Sequence, residues 1–421
     1  MVENMCKIAF FWDESFLWGL IAYDTFRELG VSFDLLTSKE IHENGLDGFD
    51  VLFVPGGWAS DKITELRDVG REKIRTYVRD GGSYLGICGG AGLALSHETG
   101  LALVPVSRMS TKVRLPSFSG GIALEPVDAE HPMWRGFPDG AVFHAWWPGQ
   151  FALEDADDVE VLAIYDEPAP GSFVTDLPVL PDMHWEYWER SYGINLQPER
   201  IIGEPAVIET SFGAGKVLLS YLHFETPDDV TGHEVLLNIL EYLAGGKPVT
   251  TPAAKDGGKT GSTDITEAMT LANSLKDSVD GLISFGTKNF LWYQRNDWIL
   301  QWRRGVRGVE YSTLNAMLGR LADTVTALGD VGEVTVDKLR RLREIAQPFF
   351  EDAPRLLLLE RDAMGEGPIS PLKTGDEQIL ALRRKLFSES KRCGGLFKEI
   401  IDLADEILLP LLREELRRDR R

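Results

Sequence analysis

The chain reads as a doubly wound α/β domain with a mostly parallel sheet, followed by a separate all-α helical bundle. Three observations predict this. Short apolar runs alternate with helical segments over the first hundred residues, the rhythm of a sheet whose strands are buried on both faces. After Asp264 the apolar period is helical. Between the two halves, residues 247–263 (Lys247-Pro248-Val249-Thr250 through Thr263) carry almost no large apolar side chain, the composition of a flexible linker. Domains are therefore expected at 1–246 and 264–421.

The elements follow in order. Lys7 to Trp12 opens the sheet, and Glu14 to Leu29 is an amphipathic helix ended by Gly30. Val31 to Leu36 and Val51 to Val54 are strands, and a helix spans Asp68 to Arg79. Asp80-Gly81-Gly82 then turns into the buried strand Ser83 to Ile87. From 101 to 215 the helical signal fades and short strands, prolines and tryptophans take over, which predicts an antiparallel extension. The turn Gly213-Ala214-Gly215 precedes an apolar strand, and the helix Thr231 to Leu243 closes the domain. In the second half, Leu271, Leu275, Val279, Leu282, Leu314, Leu318, Leu321 and Val325 keep helical spacing. Further amphipathic segments near 335–349, 354–364, 376–392 and 395–417 predict a bundle of five or six helices without strands.

The chemistry concentrates at Gly86-Ile87-Cys88-Gly89-Gly90, where a thiol stands on a strand-to-helix hinge. So sharp a turn strains its central residue, and flanking glycines relieve the crowding. Helix N–H groups behind the thiol lower a cysteine pKa and can hold an oxyanion. A cysteine nucleophile needs a base, and the base needs a carboxylate to orient it. His223 and Glu225, two residues apart at a strand end, supply both roles. Pro55-Gly56-Gly57, after the strand at 51–54, offers glycine amides that approach a reacting carbonyl closely. Asp13, Glu14 and Trp58 also follow strand ends and are expected at the mouth of the site. His144, Trp146 and Trp147 sit in an aromatic stretch suited to walling a pocket.

The Pro-Gly-Gly loop, the Gly-Ile-Cys-Gly-Gly elbow and the late His-x-Glu, taken together, resemble the class I glutamine amidotransferase-like superfamily. Within it, Gly86 to Ala91 is most similar to the N-terminal domain of some biotin–protein ligases. The resemblance spans residues 5–246 and implies a flavodoxin-like sandwich, a Cys88–His223–Glu225 triad, and oxyanion donors at Gly57 and Gly89. Two departures stand out. Ala91-Gly92 replaces the His-Gln that usually follows the elbow, and Phe224 replaces the usual proline between His and Glu. The first argues against glutamine as substrate.

Composition bounds the rest. A net charge of −22, from 44 basic and 66 acidic residues, disfavours nucleic acid and anionic membranes as partners. Only Cys6, Cys88 and Cys393 are present, without the spacing of a disulfide scaffold or metal site. The start of the chain lacks the basic region of a signal peptide, and no apolar run reaches the roughly 20 residues a membrane span needs. A cytoplasmic protein is expected, with no cofactor or metal. The expected function is a cysteine-dependent hydrolase or amidotransferase acting on a small-molecule or peptide-like amide or ester. The alternative is a catalytically inactive binding module or scaffold, with residues 264–421 recruiting a protein partner through a helix at Gly281 to Arg304.

Overall fold

The computed structural model describes residues 5–97, 99–137, 140–153, 156, 158–250, 266–370, 374–389 and 393–420. The chain divides into two compact units, Met1–Pro252 and Ala253–Arg421.

The first unit alternates strand and helix through β1 (Ile8–Phe11), α1 (Phe16–Glu28), β2 (Phe33–Leu36), α2 (Ser38–Asn44), β3 (Val51–Val54), α3 (Ala59–Arg79), β4 (Ser83–Ile87) and α4 (Gly89–Ala94). Every residue of β1, β3 and β4 is buried, which is why these strands read as continuous apolar runs instead of alternating ones. Phe10 fixes the centre, with the rings of Phe26, Phe33 and Phe53 at 5.6, 5.4 and 5.0 Å. The middle of the unit supplies β5 (Ser107–Arg108), β6 (Phe118–Pro126), β7 (Val142–Trp146), β8 (Phe151–Ala152), β9 (Glu160–Pro168), β10 (Phe173–Val174), β11 (Leu177–Pro178) and the short helix α5 (Trp185–Tyr192). The hairpin β12 (Pro205–Phe212) and β13 (Gly215–Ser220) returns the chain to the sheet, and α6 (Val230–Leu243) closes it.

The main sheet runs β11-β10-β6-β9-β12-β13-β4-β3-β1-β2, with β7 on β6. β2, β1, β3, β4 and β13 pair in parallel, while β12, β9, β6, β7 and β10 pair antiparallel. This is the flavodoxin-like doubly wound core with the antiparallel extension that the 101–215 composition predicts. β1 joins β2 on one side and β3 on the other, so strand order reverses there, where open α/β sheets form ligand crevices beyond their carboxyl ends.

The expected linker needs correction at its start. Cys6 N donates to Pro248 O and Ser32 N to Val249 O, and Val31 bridges Thr250. Val249 is 1% exposed and Lys247 pairs with Asp50 at 2.7 Å, so burial and an ion pair join these backbone bonds in holding 247–250 against the sheet. The remainder of the expected linker, 251–263, lies outside the described residues.

The second unit holds five helices among its described residues: α7 (Glu267–Lys288), α8 (Gly308–Leu328), α9 (Glu333–Glu366), α10 (Glu377–Phe387) and α11 (Gly395–Asp419). Two expectations fail here. The segments at 335–349 and 354–364 form the single helix α9, which contains Pro348 and Pro354. The expected helix from Gly281 to Arg304 stops at Lys288, and a hairpin follows, β14 (Trp292–Gln294) and β15 (Leu300–Trp302). The cause is local. Trp292 Nε1 donates to Ile283 O at 3.0 Å, folding the chain back on α7, and the lack of a side chain at Gly286 admits the indole. Asn296 Oδ1 then accepts from Trp298 N and Ile299 N to shape the turn. Among the described residues no helix is long and apolar enough to cross a membrane.

Candidate active site

The elbow between β4 and α4 places Cys88 at φ 50° and ψ −103°, backbone that favours glycine and costs a side-chain-bearing residue about 1–3 kcal/mol. Its neighbours allow the turn because they have no side chains. A Cβ on Gly86 would lie 2.7 Å from the Gly90 carbonyl, and one on Gly90 would lie 2.0 Å from Val54 O. A Cβ on Gly89 would lie 1.8 Å from Gly57 O, so the elbow and the Pro-Gly-Gly loop touch backbone to backbone. Cys88 N donates to Ser220 O at 2.7 Å, tying the turn to the end of β13. The thiol residue remains partly exposed.

His223 and Glu225 lie just beyond the end of β13, where the chain bends out of the strand. They still meet: Nδ1 of His223 lies 2.7 Å from Glu225 Oε1, with the two side chains 1% and 0% exposed. The surroundings fix the ring. His223 N donates to His144 O at 2.9 Å, and the Thr226 hydroxyl donates to His223 O at 2.7 Å. Trp146 Nε1 donates to that same hydroxyl at 3.1 Å, and Thr25 Oγ1 to Glu225 O at 2.9 Å. The indole of Trp18 lies over the imidazole with centroids 4.4 Å apart. His223 Nε2 and Glu225 Oε2 are buried without a hydrogen-bond partner.

Burial alone would lower the His223 pKa. The Glu225 charge and the nearby Cys88 thiol overcome that and raise it to about 10. The thiol therefore acts on the ring without reaching the geometry of a formed hydrogen bond. The folded pKa exceeds the ordinary 6.5, so the stabilisation from protonated His223 is fully present below about pH 6.5 and is lost as pH rises through about 10. Glu225→Gln removes the main raising charge. The imidazole pKa read by NMR is expected to fall toward or below 6.5, with the stability slope between pH 6.5 and 10 flattening. A His223 pKa still near 10 in that variant would show that Glu225 is not the cause.

The other expected residues divide. Gly56 and Gly57 flank the elbow: a Cβ on Gly56 would strike the Trp18 indole, and Gly57 takes φ 111° against Glu14 O. His144 lies in β7; its Nδ1 meets Asp229 Oδ2 at 2.8 Å, and its ring stacks on Trp146. Trp146 is 3% exposed and props the His223 turn. Trp58 is half exposed at the start of α3. The Asp13 carboxylate accepts from Ser38 N at 2.6 Å, so it caps α2.

Trp18, Thr25 and Lys62 escape the sequence reading. Lys62 is fully buried; its ammonium donates to Asp13 O at 3.1 Å and to the Ser15 hydroxyl. It thereby holds the turn after β1, in which Glu14 and Phe16 have φ of 54° and 41°. A lysine in a charged, helix-forming stretch reads as solvated, so no sequence signal separates it.

Residues 41–98, from α2 through the elbow, match the family model described as biotin-protein ligase, N terminal. No curated protein matches the chain. Among solved structures, a Thermoplasma acidophilum protein provisionally described as part of a GMP synthase is 18% identical. It covers 58% of this chain and 96% of its own, with a TM-score of 0.38. A glutamine amidotransferase from Thermotoga maritima is 14% identical, covering 57% of this chain and 99% of its own, with a TM-score of 0.39.

Proposed function

We propose that the chain is a cysteine-dependent hydrolase or amidotransferase acting on an amide or ester carbonyl. The reading is supported by a partly exposed cysteine on a strained elbow whose thiol helps raise the pKa of the buried, Glu225-paired His223. Strain is retained only where the surroundings over-determine it, and such positions cluster at reactive centres. Cys88 and His223 share one proton, held on the ring by its raised pKa, and the thiolate so formed attacks the carbonyl carbon to form a C–S bond. The amides of Gly57 and Gly89 receive the developing oxyanion. Collapse expels the amine or alcohol, which takes its proton from His223. Water, deprotonated by His223, then cleaves the thioester and restores the thiol; an amine in its place completes a transfer. Glu225 keeps the ring oriented and stabilises its protonated form, as its effect on the His223 pKa supports. With Ala91-Gly92 after the elbow, glutamine is not the acyl donor of this reading.

An activated ester tests it. p-Nitrophenyl acetate is expected to release a burst of nitrophenolate and leave an acetyl group on Cys88, located by peptide mass spectrometry. Ammonia release from glutamine is expected to stay at background. Acetylation of Cys88 no faster than of Cys393 would overturn the nucleophile assignment, and vigorous ammonia release would restore glutamine.

A further inference from the structure

We propose that the Cys88 site carries a basic subsite, built from Arg114 and Arg108 with the hydroxyls of Tyr221 and Tyr165, that binds a carboxylate on the substrate. The inference rests on the hydrolase or transferase reading of Cys88 and adds its substrate class: an acyl donor bearing a free carboxylate.

Arg114 is 8% exposed, its Nε is buried without a partner, and its guanidinium makes one long hydrogen bond, NH1 to Pro148 O at 3.5 Å. Among the described residues no carboxylate pairs with Arg114 or Arg108. A chain with 66 acidic residues against 44 basic ones has carboxylates to spare. An arginine buried with a single long hydrogen bond and no carboxylate bears a desolvation cost that this bond offsets only in part. A guanidinium fork matches a carboxylate in two parallel hydrogen bonds, so an anionic ligand is the missing partner.

Tyr221 and Tyr165 connect this cation to the thiol. Both are almost fully buried, and both hydroxyls lack a hydrogen-bond partner. Buried hydroxyls ordinarily find one. Tyr221 directly follows Ser220, whose carbonyl accepts the Cys88 amide. Its ring packs at a tilt against Phe151, centroids 4.3 Å apart, and leans over Gly149, where any Cβ would collide with the phenol. Arg108 pairs with Phe151 in the β5–β8 ladder, which brings its strand to the same ring. Burial raises the pKa of both hydroxyls, with Cys88 adding to the rise at each and Arg108 and Arg114 opposing it at Tyr221. The Arg114 guanidinium at Pro148 O, the Tyr221 phenol over Gly149 and the Arg108–Phe151 ladder pair thus lie side by side, and Tyr221 directly follows the residue that holds the Cys88 amide.

Iodoacetate and iodoacetamide differ by a carboxylate against a neutral amide, and both alkylate thiols. The ratio of their rates at Cys88, measured on the full chain by peptide mass spectrometry, is expected to exceed the ratio at Cys393 by about tenfold. Arg114→Met is expected to bring it down to the Cys393 value. Tyr221→Phe removes an unpartnered hydroxyl, so it is expected to fold normally yet lower the ratio about threefold. Succinate is expected to raise the Tm of Cys88→Ala, a readout that needs no reactive thiol, and not that of the Cys88→Ala/Arg114→Met double variant. If Cys88 reacts with neither reagent faster than Cys393, the nucleophile reading fails, and the succinate shift alone decides the subsite. A rate ratio unchanged by Arg114→Met, or no succinate shift, overturns the subsite. Stabilisation by inorganic phosphate but not by succinate overturns the carboxylate assignment.

Discussion

Cys88→Ala is expected to remove acyl transfer altogether, at least about 10³-fold below the parent chain, while leaving the fold unchanged. One partly exposed sulfur is lost, and alanine keeps the elbow's backbone demand. The same substitution removes a neighbour that raises the His223 pKa, so the imidazole is expected to titrate below the parent value of about 10. Glycine at this position separates chemistry from strain. The φ of 50° at Cys88 suits glycine, so Cys88→Gly is expected to be as inactive as Cys88→Ala yet more stable by about 1 kcal/mol. Urea unfolding of the two variants side by side measures the difference. Equal stability would mean that the elbow stores no strain, and residual turnover in either variant would move the nucleophile elsewhere.

Gly89→Ala should be the most disruptive single methyl group in the first unit. Its Cβ would stand 1.8 Å from Gly57 O, 2.7 Å from Gly57 C and 3.0 Å from Gly57 N. These are backbone atoms that no rotamer change can move aside. The Pro-Gly-Gly loop is itself pressed on the turn after β1, since a Cβ on Gly57 would lie 2.4 Å from Glu14 O. Relief therefore requires shifting a whole loop, at about 3 kcal/mol or more. A Tm drop together with lost Cys88 acylation is expected. Gly92→Ala is the control in the same helix, because its Cβ would meet only Ala59 Cβ at an ordinary 3.5 Å. Full stability in Gly89→Ala would mean the two loops stand further apart than the structure places them.

The central sheet was legible because β1, β3 and β4 are buried on both faces and their composition says so directly. The elbow was legible because Gly86-Ile87-Cys88-Gly89-Gly90 joins an apolar strand to a small-residue helix start, with Pro-Gly-Gly and His-x-Glu elsewhere to match it. Pairing of His223 with Glu225 could be expected from their spacing, although the strand ends before them and a turn brings them together. What could not be read depends on distant chain. Thr25 reaches Glu225 across 200 positions, and Trp18 covers His223 from α1; each looks like an ordinary residue of an amphipathic helix. Arg114 is held by Pro148 and Asn195, which come later in the chain, so nothing in its own stretch of sequence announces its burial. The hairpin at 292–302 was missed because Trp292, read at helical spacing, instead folds back onto Gly286.

The pairing of Val31 and Ser32 with Val249 and Thr250 bears on how the first unit survives alone. β2 is the outermost parallel strand, only four residues long, and an uncovered edge offers its free amides and carbonyls to any passing chain. Residues 248–250 lie beside the approach to that strand like a selvedge, the woven border that keeps cloth from fraying. A fragment cut at Gly246 would keep every residue of the proposed chemistry and lose this border, whereas one ending after Thr250 would retain it.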